Sequence, residues 1–255
     1  MVLNDVALIK RDKIYFVSDV HLGSPAMINN RERERLFADW LHTISADAKE
    51  LYLLGDIFDF WFEYRKVVPR GYTRVLGRLA EMTDKGIPIH FFTGNHDMWV
   101  FDYLPHEIGV TVHREPLVTE LLGKKFFLAH GDGLDKSDTG YLLLKKIFSN
   151  PMLQWLYARL HPNFSVHIAQ LWSTKSRKNK KTNKIFDPTT EGMYRYAASL
   201  LEKEHFDYFV MGHRHKMVQT PMRGNSHYVL LGDWIDAYSY GVFDGEKFEL
   251  RKMER

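Results

Sequence analysis

Residues 13–21 read KIYFVSDVH. The run from Lys13 to Ser18, rich in β-branched and aromatic residues, suits a strand buried on both faces. It stops at Asp19-Val20-His21, an acid and an imidazole two positions apart. The same sequence of events recurs along the chain. Glu50 to Leu54 runs into Gly55-Asp56, Pro88 to Thr93 into Gly94-Asn95-His96-Asp97, Lys124 to Ala129 into His130-Gly131-Asp132, and Phe206 to Met211 into Gly212-His213-Arg214-His215. Tyr228 to Leu231 is a further run of this kind.

Helical patterns lie between these strands. Asn30 to Ile44 places Leu36, Phe37, Trp40, Leu41 and Ile44 on one face, and Tyr72 to Lys85 does the same with Val75, Leu76, Leu79 and Met82. Alternating strands and helices predict a layered α/β fold. Ser239 to Phe243 and Lys247 to Lys252 flank Asp244-Gly245, a hairpin turn pair, so an antiparallel edge is expected to close the chain. One stretch breaks the alternation. From about Asp138 to Asp187 there is helical pattern and no strand-like run, which reads as a helical cap inserted into a single domain spanning residues 1–255. Helix signals resume at Thr189 and Thr190, with Glu191 in the first turn, and continue to about Glu204.

In open α/β sheets, sites form beyond the carboxyl ends of strands, so the five polar clusters can converge on one crevice. Imidazole, carboxylate and side-chain amide without thiolate suit manganese, iron, zinc or similar divalent ions. In extended backbone, Asp19 and His21 would point to one side, as would His213 and His215. A lone acid or histidine at a strand end is more often a loop hydrogen-bonding group. Five such clusters in chain order are not explained that way.

Composition sets outer bounds. The 255 residues are 45% hydrophobic and 26% charged, with mean hydropathy −0.34, an ordinary globular balance. The absence of cysteine excludes disulfides, zinc-thiolate sites and a cysteine nucleophile. A net charge of +3 and a pI of 8.8 fit a phosphate-bearing substrate and many other partners besides. The first residues lack the basic and apolar regions of a signal peptide, and no run approaches about 18 uncharged apolar residues, so a cytoplasmic protein is expected.

The ordered motifs Asp19 to His21, Gly55-Asp56, Gly94 to Asp97, His130 and Gly212 to His215 resemble those of the calcineurin-like metallophosphoesterase superfamily over residues 13 to 243 or so. The resemblance implies a four-layer α/β/β/α sandwich with two divalent ions, manganese by the same resemblance. It implies that Asp19, His21, Asp56 and His215 hold one ion and that Asp56, Asn95, His130 and His213 hold the other, with Asp56 bridging. A hydroxide between the ions is then the nucleophile at phosphorus. His96 is implied to donate to the phosphoryl oxygen or the leaving group. Asp97 and Asp132 read either as groups orienting imidazoles or backbone or as plain loop-stabilising carboxylates.

Within the superfamily, Gly55 to Trp61, His130-Gly131-Asp132 and the long insertion resemble the UDP-2,3-diacylglucosamine pyrophosphatases of lipid A synthesis, which release UMP and 2,3-diacylglucosamine 1-phosphate. Asp135 to Tyr141 resembles the same family and makes Asp138 and Tyr141 candidate substrate contacts, beside Asn95 and His96. Many members carry Arg where this chain has His96, so Gly94 to Asp97 follows the general superfamily pattern. None of the family's cap contacts is carried over onto Ser173 to Lys184.

Tyr141 to His161 reads as helical and is more apolar than one buried face needs. The excess fits an acyl-chain groove, or equally a cap helix packed on two sides. The adjoining basic residues Lys175, Arg177, Lys178, Lys180, Lys181 and Lys184 fit peripheral contact with an anionic membrane, or a solvated loop. Trp61, Phe62, Tyr64 and Trp99 read as site wall or as core. A nuclease or another phosphodiesterase, a protein phosphatase, and a non-catalytic scaffold of the same fold are the competing readings. Basic residues confined to one segment disfavour nucleic acid, and the complete ligand set disfavours a scaffold.

Overall fold

A computed structural model of the chain describes residues 10–178 and 186–254, with the side chains of Gln170 and of residues 172–178 excepted. The first half alternates β1 (Lys13–Val17), α1 (Asn30–Ile44), β2 (Ala48–Leu54), α2 (Thr73–Asp84), β3 (Ile89–Phe92) and β4 (Thr111–His113). These four strands run parallel. An antiparallel pair, β5 (Leu117–Leu121) and β6 (Lys124–Ala129), opens the second half. Then come α3 (Thr139–Phe148), α4 (Pro151–Tyr157), α5 (Pro162–Lys178) and α6 (Gly192–Leu200). The chain ends with β7 (Tyr208–Met211), β8 (Met217–Pro221), β9 (His227–Leu231), β10 (Ser239–Phe243) and β11 (Phe248–Lys252).

Two mixed sheets result, one in the order β11-β10-β1-β2-β3-β4 and one in the order β5-β6-β7-β9-β8. The final hairpin rejoins the first sheet, with β10 antiparallel to β1 and Ile14 opposite Phe243. Its turn is set by Asp244, whose Oδ1 accepts from the backbone N–H groups of Glu246 and Lys247.

Alternation along each strand builds the layers. Ile14, Phe16, Tyr52, Leu54 and Phe92 of the first sheet meet Phe126, Leu128, Val210, Val229 and Leu231 of the second. The opposite face of the first sheet, through Tyr15, Val17, Leu51, Leu53 and Phe91, packs on Phe37, Trp40, Leu41, Val75 and Leu79 of α1 and α2. The outer face of the second sheet, through Phe127, Ala129, Phe209 and Met211, packs on Met193 and Ala197 of α6. The order of layers is therefore helix, sheet, sheet, helix.

The structure departs from the sequence reading at particular places. β4, β5 and β8 are additional strands, and all three lie at sheet edges. Edge strands alternate in burial, as β5 does, so no continuous apolar run marks them. The helical stretch read over Tyr141 to His161 divides into α3 and α4: Pro151 starts α4, and Asn150 caps it by accepting from the N–H groups of Met152 and Leu153. After a 3-10 turn at Pro188–Thr190 capped by Asp187, α6 begins at Gly192 and ends at Leu200, shorter than expected. Of the basic run, Lys180, Lys181 and Lys184 lie outside the described residues, as do the side chains of Lys175, Arg177 and Lys178.

Phe126 sits at the centre of the layer between the sheets, 5.8 Å from the Phe16 ring, 4.9 Å from Tyr208 and 5.1 Å from Phe243. Truncating a fully buried Phe typically costs about 3–5 kcal/mol. Phe126→Ala is expected to lower unfolding stability by about that amount in a urea titration. Val118→Ala, at a position 47% exposed on β5, should stay within about 0.5 kcal/mol of the parent.

Candidate metal centre

Polar residues gather at the carboxyl ends of six strands drawn from both sheets. Asp19 and His21 follow β1, Asp56 follows β2, Asn95 and His96 follow β3, His130 follows β6, His213 and His215 follow β7, and Asp233 follows β9. Two glycines allow the segments to approach. A Cβ on Gly94 would overlap the Asp56 carboxylate, and one on Gly55 would run into the His130 ring.

The candidate ligand segments are not extended, contrary to the expectation from their two-residue spacing. Asp19 (φ 55°), His21 (48°), Asp56 (55°), His213 (68°) and His215 (51°) all lie in the left-handed region. Such backbone costs of order 1–3 kcal/mol per residue and persists where the surroundings over-determine it. Here Asp19 N–H donates to Gly55 O (3.1 Å) and His21 N–H to Asp56 O (2.9 Å). His213 N–H donates to Asp19 Oδ2 at 2.8 Å, joining the two sheets at the site.

The side chains meet in two groups. His21 Nε2 lies 3.8 Å from Asp19 Oδ1, and His215 Nε2 lies 3.4 Å from the same oxygen. Asp56 Oδ2 stands 3.6 Å from His21 Nε2 and 3.5 Å from His130 Nε2, and so faces both groups. His213 Nδ1 is 3.0 Å from Asn95 Oδ1. Asp19, His21 and His215 can share one ion, and Asp19, Asp56 and His130 form a second compact set.

Ring orientation is fixed from behind. His130 Nδ1 donates to Leu54 O at 2.8 Å. A carbonyl only accepts, so Nδ1 carries a proton and Nε2 is the nitrogen that His130 turns to the cluster. His21 Nδ1 lies 3.2 Å from Asp59 Oδ1, and His215 Nδ1 lies 3.5 Å from Asp233 Oδ2. Asp19 Oδ1 and His130 Nε2 are buried with no hydrogen-bond partner among the described residues. Buried polar atoms left unsatisfied are unfavourable, and divalent cations would satisfy the Asp19 oxygen and, by displacing its proton, the His130 nitrogen. The oxygen and nitrogen donor set fits such ions.

Electrostatics follow the same geometry. Burial opposes ionisation of Asp56, but the imidazoles of His130 and His96 hold its pKa well below the usual carboxylate range. Burial disfavours a charged His130, and Asp56 outweighs it, raising the imidazole to about 10. Burial and the Asp56 charge push Asp97 up to about 7. The Asp97 carboxylate accepts from the backbone N–H groups of Asp56, Ile57, Phe58 and Gly94, and so stitches the turns after β2 and β3 together.

His96 N–H donates to Asp56 Oδ1 at 2.8 Å, and its ring Nδ1 donates to Asp59 O at 2.9 Å. Among the described residues Asp132 accepts no hydrogen bond from an imidazole. Its Oδ2 accepts from Tyr141 OH and Lys145 Nζ, each at 2.7 Å, which ties α3 to the turn after β6. Asp138 caps α3 by accepting from Tyr141 N–H. Asp59 and Asp233 carried no role in the sequence reading. Gly232-Asp233 repeats, after β9, the Gly55-Asp56 pattern after β2, and that signal could have found it.

A cleft of about 620 Å³ leads away from this cluster, lined near it by Asn95, His96, Asp138, Tyr141 and His213 and farther out by Leu144, Ile147, Phe148, Leu153, Tyr157 and Ile168. Trp99 forms part of the wall and donates its ring N–H to Phe148 O at 2.9 Å. Trp61 is core, Phe62 is buried against Trp99 and Tyr157, and Tyr64 bonds Ser165 of α5. The apolar excess of the inserted helices is not packed away on two sides. Met152 is 70% exposed and Trp155 56%, with Leu143, Leu156 and Phe164 also outward. Among the described residues no helix is long and apolar enough to cross a membrane.

Comparison with known proteins gives a consistent picture. The sequence signature described as calcineurin-like phosphoesterase matches residues 12–217. A UDP-2,3-diacylglucosamine hydrolase of Porphyromonas gingivalis is 44% identical, covering 96% of this chain and 98% of that protein. One from Actinobacillus succinogenes is 29% identical, covering 89% and 94%. Among solved structures, a dimetal phosphatase from Danio rerio is 13% identical with a TM-score of 0.47, covering 95% of this chain and 96% of that one.

Two substitutions test the centre by metal analysis. Asp56→Ala, which removes the carboxylate facing both groups, is expected to abolish stoichiometric binding of both ions. Asp233→Asn should keep the fold and weaken metal affinity by about 10- to 100-fold, the usual effect of losing a carboxylate behind a ligating histidine.

Proposed function

The chain belongs to the calcineurin-like phosphoesterase family, and from that premise we propose that it hydrolyses the pyrophosphate of UDP-2,3-diacylglucosamine to UMP and 2,3-diacylglucosamine 1-phosphate. The observation that carries this choice of substrate is the cleft. It joins a cluster of oxygen and nitrogen ligands to an apolar channel between the inserted helices, as a molecule with a diphosphate at one end and acyl chains at the other requires. The names of the curated relatives point to the same substrate.

In this reading Asp19, His21, Asp56 and His215 hold one divalent ion, and Asp56, Asn95, His130 and His213 hold the other, both manganese. When bound, such a pair supplies an activated water and charge neutralisation for in-line displacement at phosphorus. The chain's own groups do the rest. Asp59 and Asp233 orient His21 and His215, and Asp97 fixes the turns that carry Asp56 and Asn95. Asn95 and His96 face the phosphoryl group. Because His96 Nδ1–H is given to the Asp59 carbonyl, Nε2 donates to a phosphoryl or leaving oxygen only as imidazolium. Asp138 and Tyr141, at the start of α3, contact the sugar-phosphate portion.

The segment from about Asp138 to Asp187 acts as a cap over the acyl chains. Its outward Met152, Trp155 and Leu156 rest on the cytoplasmic face of an anionic membrane, where basic neighbours add about 1 kcal/mol each. Lipid substrate then enters the cleft without crossing water.

His96→Ala should retain both ions while lowering kcat by about 10² to 10⁴, measured as UMP release beside hydrolysis of bis-p-nitrophenyl phosphate. Preference for the generic diester in the parent protein would redirect the search to other phosphodiesters. Trp155→Asp should reduce co-sedimentation with phosphatidylglycerol vesicles and leave metal content unchanged.

A further inference from the structure

Arg33 lies on α1, apart from every proposed ligand in sequence, yet only 6% of it is exposed. Its Nη2 donates to the carbonyl of Val20, its Nε to the carbonyl of Trp234 at 3.3 Å, and its Nη1 to Asn30 Oδ1 at 3.4 Å. Val20 stands between Asp19 and His21, both left-handed. Trp234 follows Asp233, the partner of His215, and its N–H donates to Asp19 O at 3.1 Å. One planar guanidinium therefore spans the turn after β1, in the first sheet, and the turn after β9, in the second.

Burying a guanidinium carries a desolvation penalty. Charge-assisted bonds to two carbonyls offset part of it. What the fork adds is geometry, since its donors are rigid and fix two acceptors relative to each other in a way a lysine ammonium does not. Strained turns need such over-determination to hold. Asn30 extends the brace, donating to Ser24 O and Met27 O in the loop that follows His21.

We propose that Arg33 is a positioning residue for the half of the centre formed by Asp19, His21 and His215, holding their turns in register through the Val20 and Trp234 carbonyls. It touches no ligand side chain in this scheme. The Asn95, His130 and His213 half is carried by β3, β6 and β7 and is not braced by these bonds. The proposal rests on the two-ion reading above and adds to it an asymmetry: the two ions depend on Arg33 unequally.

The test is calorimetric titration of metal-free protein with Mn2+, with thermal melts as a check on folding, for the parent, Arg33→Lys and Arg33→Met. The expected result is a folded variant in which one of two binding steps weakens by about 10- to 100-fold while the other is unchanged. UMP release should then be lost at limiting Mn2+ and regained in excess, more fully for Arg33→Lys than for Arg33→Met. Unchanged affinities, equal weakening of both steps, or failure of both variants to fold would overturn the proposal, the last by making Arg33 a general determinant of stability. A parent protein that bound fewer than two ions would instead overturn the two-ion reading itself.

Discussion

Burial of like charge at one point is the constraint from which the rest of this structure follows. Asp19 and Asp56 lie almost completely out of solvent, close to buried His21 and His130. Such groups are tolerated inside a protein only when paired, hydrogen-bonded or bound to metal. Every neighbouring element serves that need. Strand ends from two sheets supply the acids and imidazoles, glycines permit the approach, backbone carbonyls and outer carboxylates fix the rings, and the left-handed turns aim them.

The inserted helices obey the opposite rule. None of the residues of α3 or α4 is buried, and their large apolar side chains divide between the cleft and the outside. A helix pair whose residues are at most half-buried draws little stability from its own packing. Its attachment to the core is correspondingly specific: Trp99 to the Phe148 carbonyl, and Tyr141 and Lys145 to Asp132, with Tyr64 to Ser165 holding the following α5. Rigid charge and adaptable apolar surface are thus kept in separate parts of the chain, and the cleft runs between them.

The central strands and the polar clusters after them were legible in the sequence because central strands are continuous apolar runs and because acids and histidines interrupt them abruptly. The edges were not, since β4 is only Thr111–His113 and β5 and β8 alternate. Ligand spacing suggested extended backbone, whereas the turns are left-handed, a conformation that leaves no periodic trace. Asp59 and Asp233 escaped notice because a carboxylate behind a ligand is chosen by three-dimensional proximity. Asp132 shows the reverse: two residues after the motif histidine His130, it bonds Tyr141 of α3.

The return of β10 to pair with β1 ties the last tenth of the chain to its first. On the ribosome, β1 and the turn bearing Asp19 and His21 emerge long before His213, His215, Asp233 and β10 exist. Contacts so distant in sequence form late and slowly. The nascent chain therefore presents an open strand edge and an incomplete set of acids and imidazoles until the segment through β10 has emerged, and the full cluster can assemble only after that.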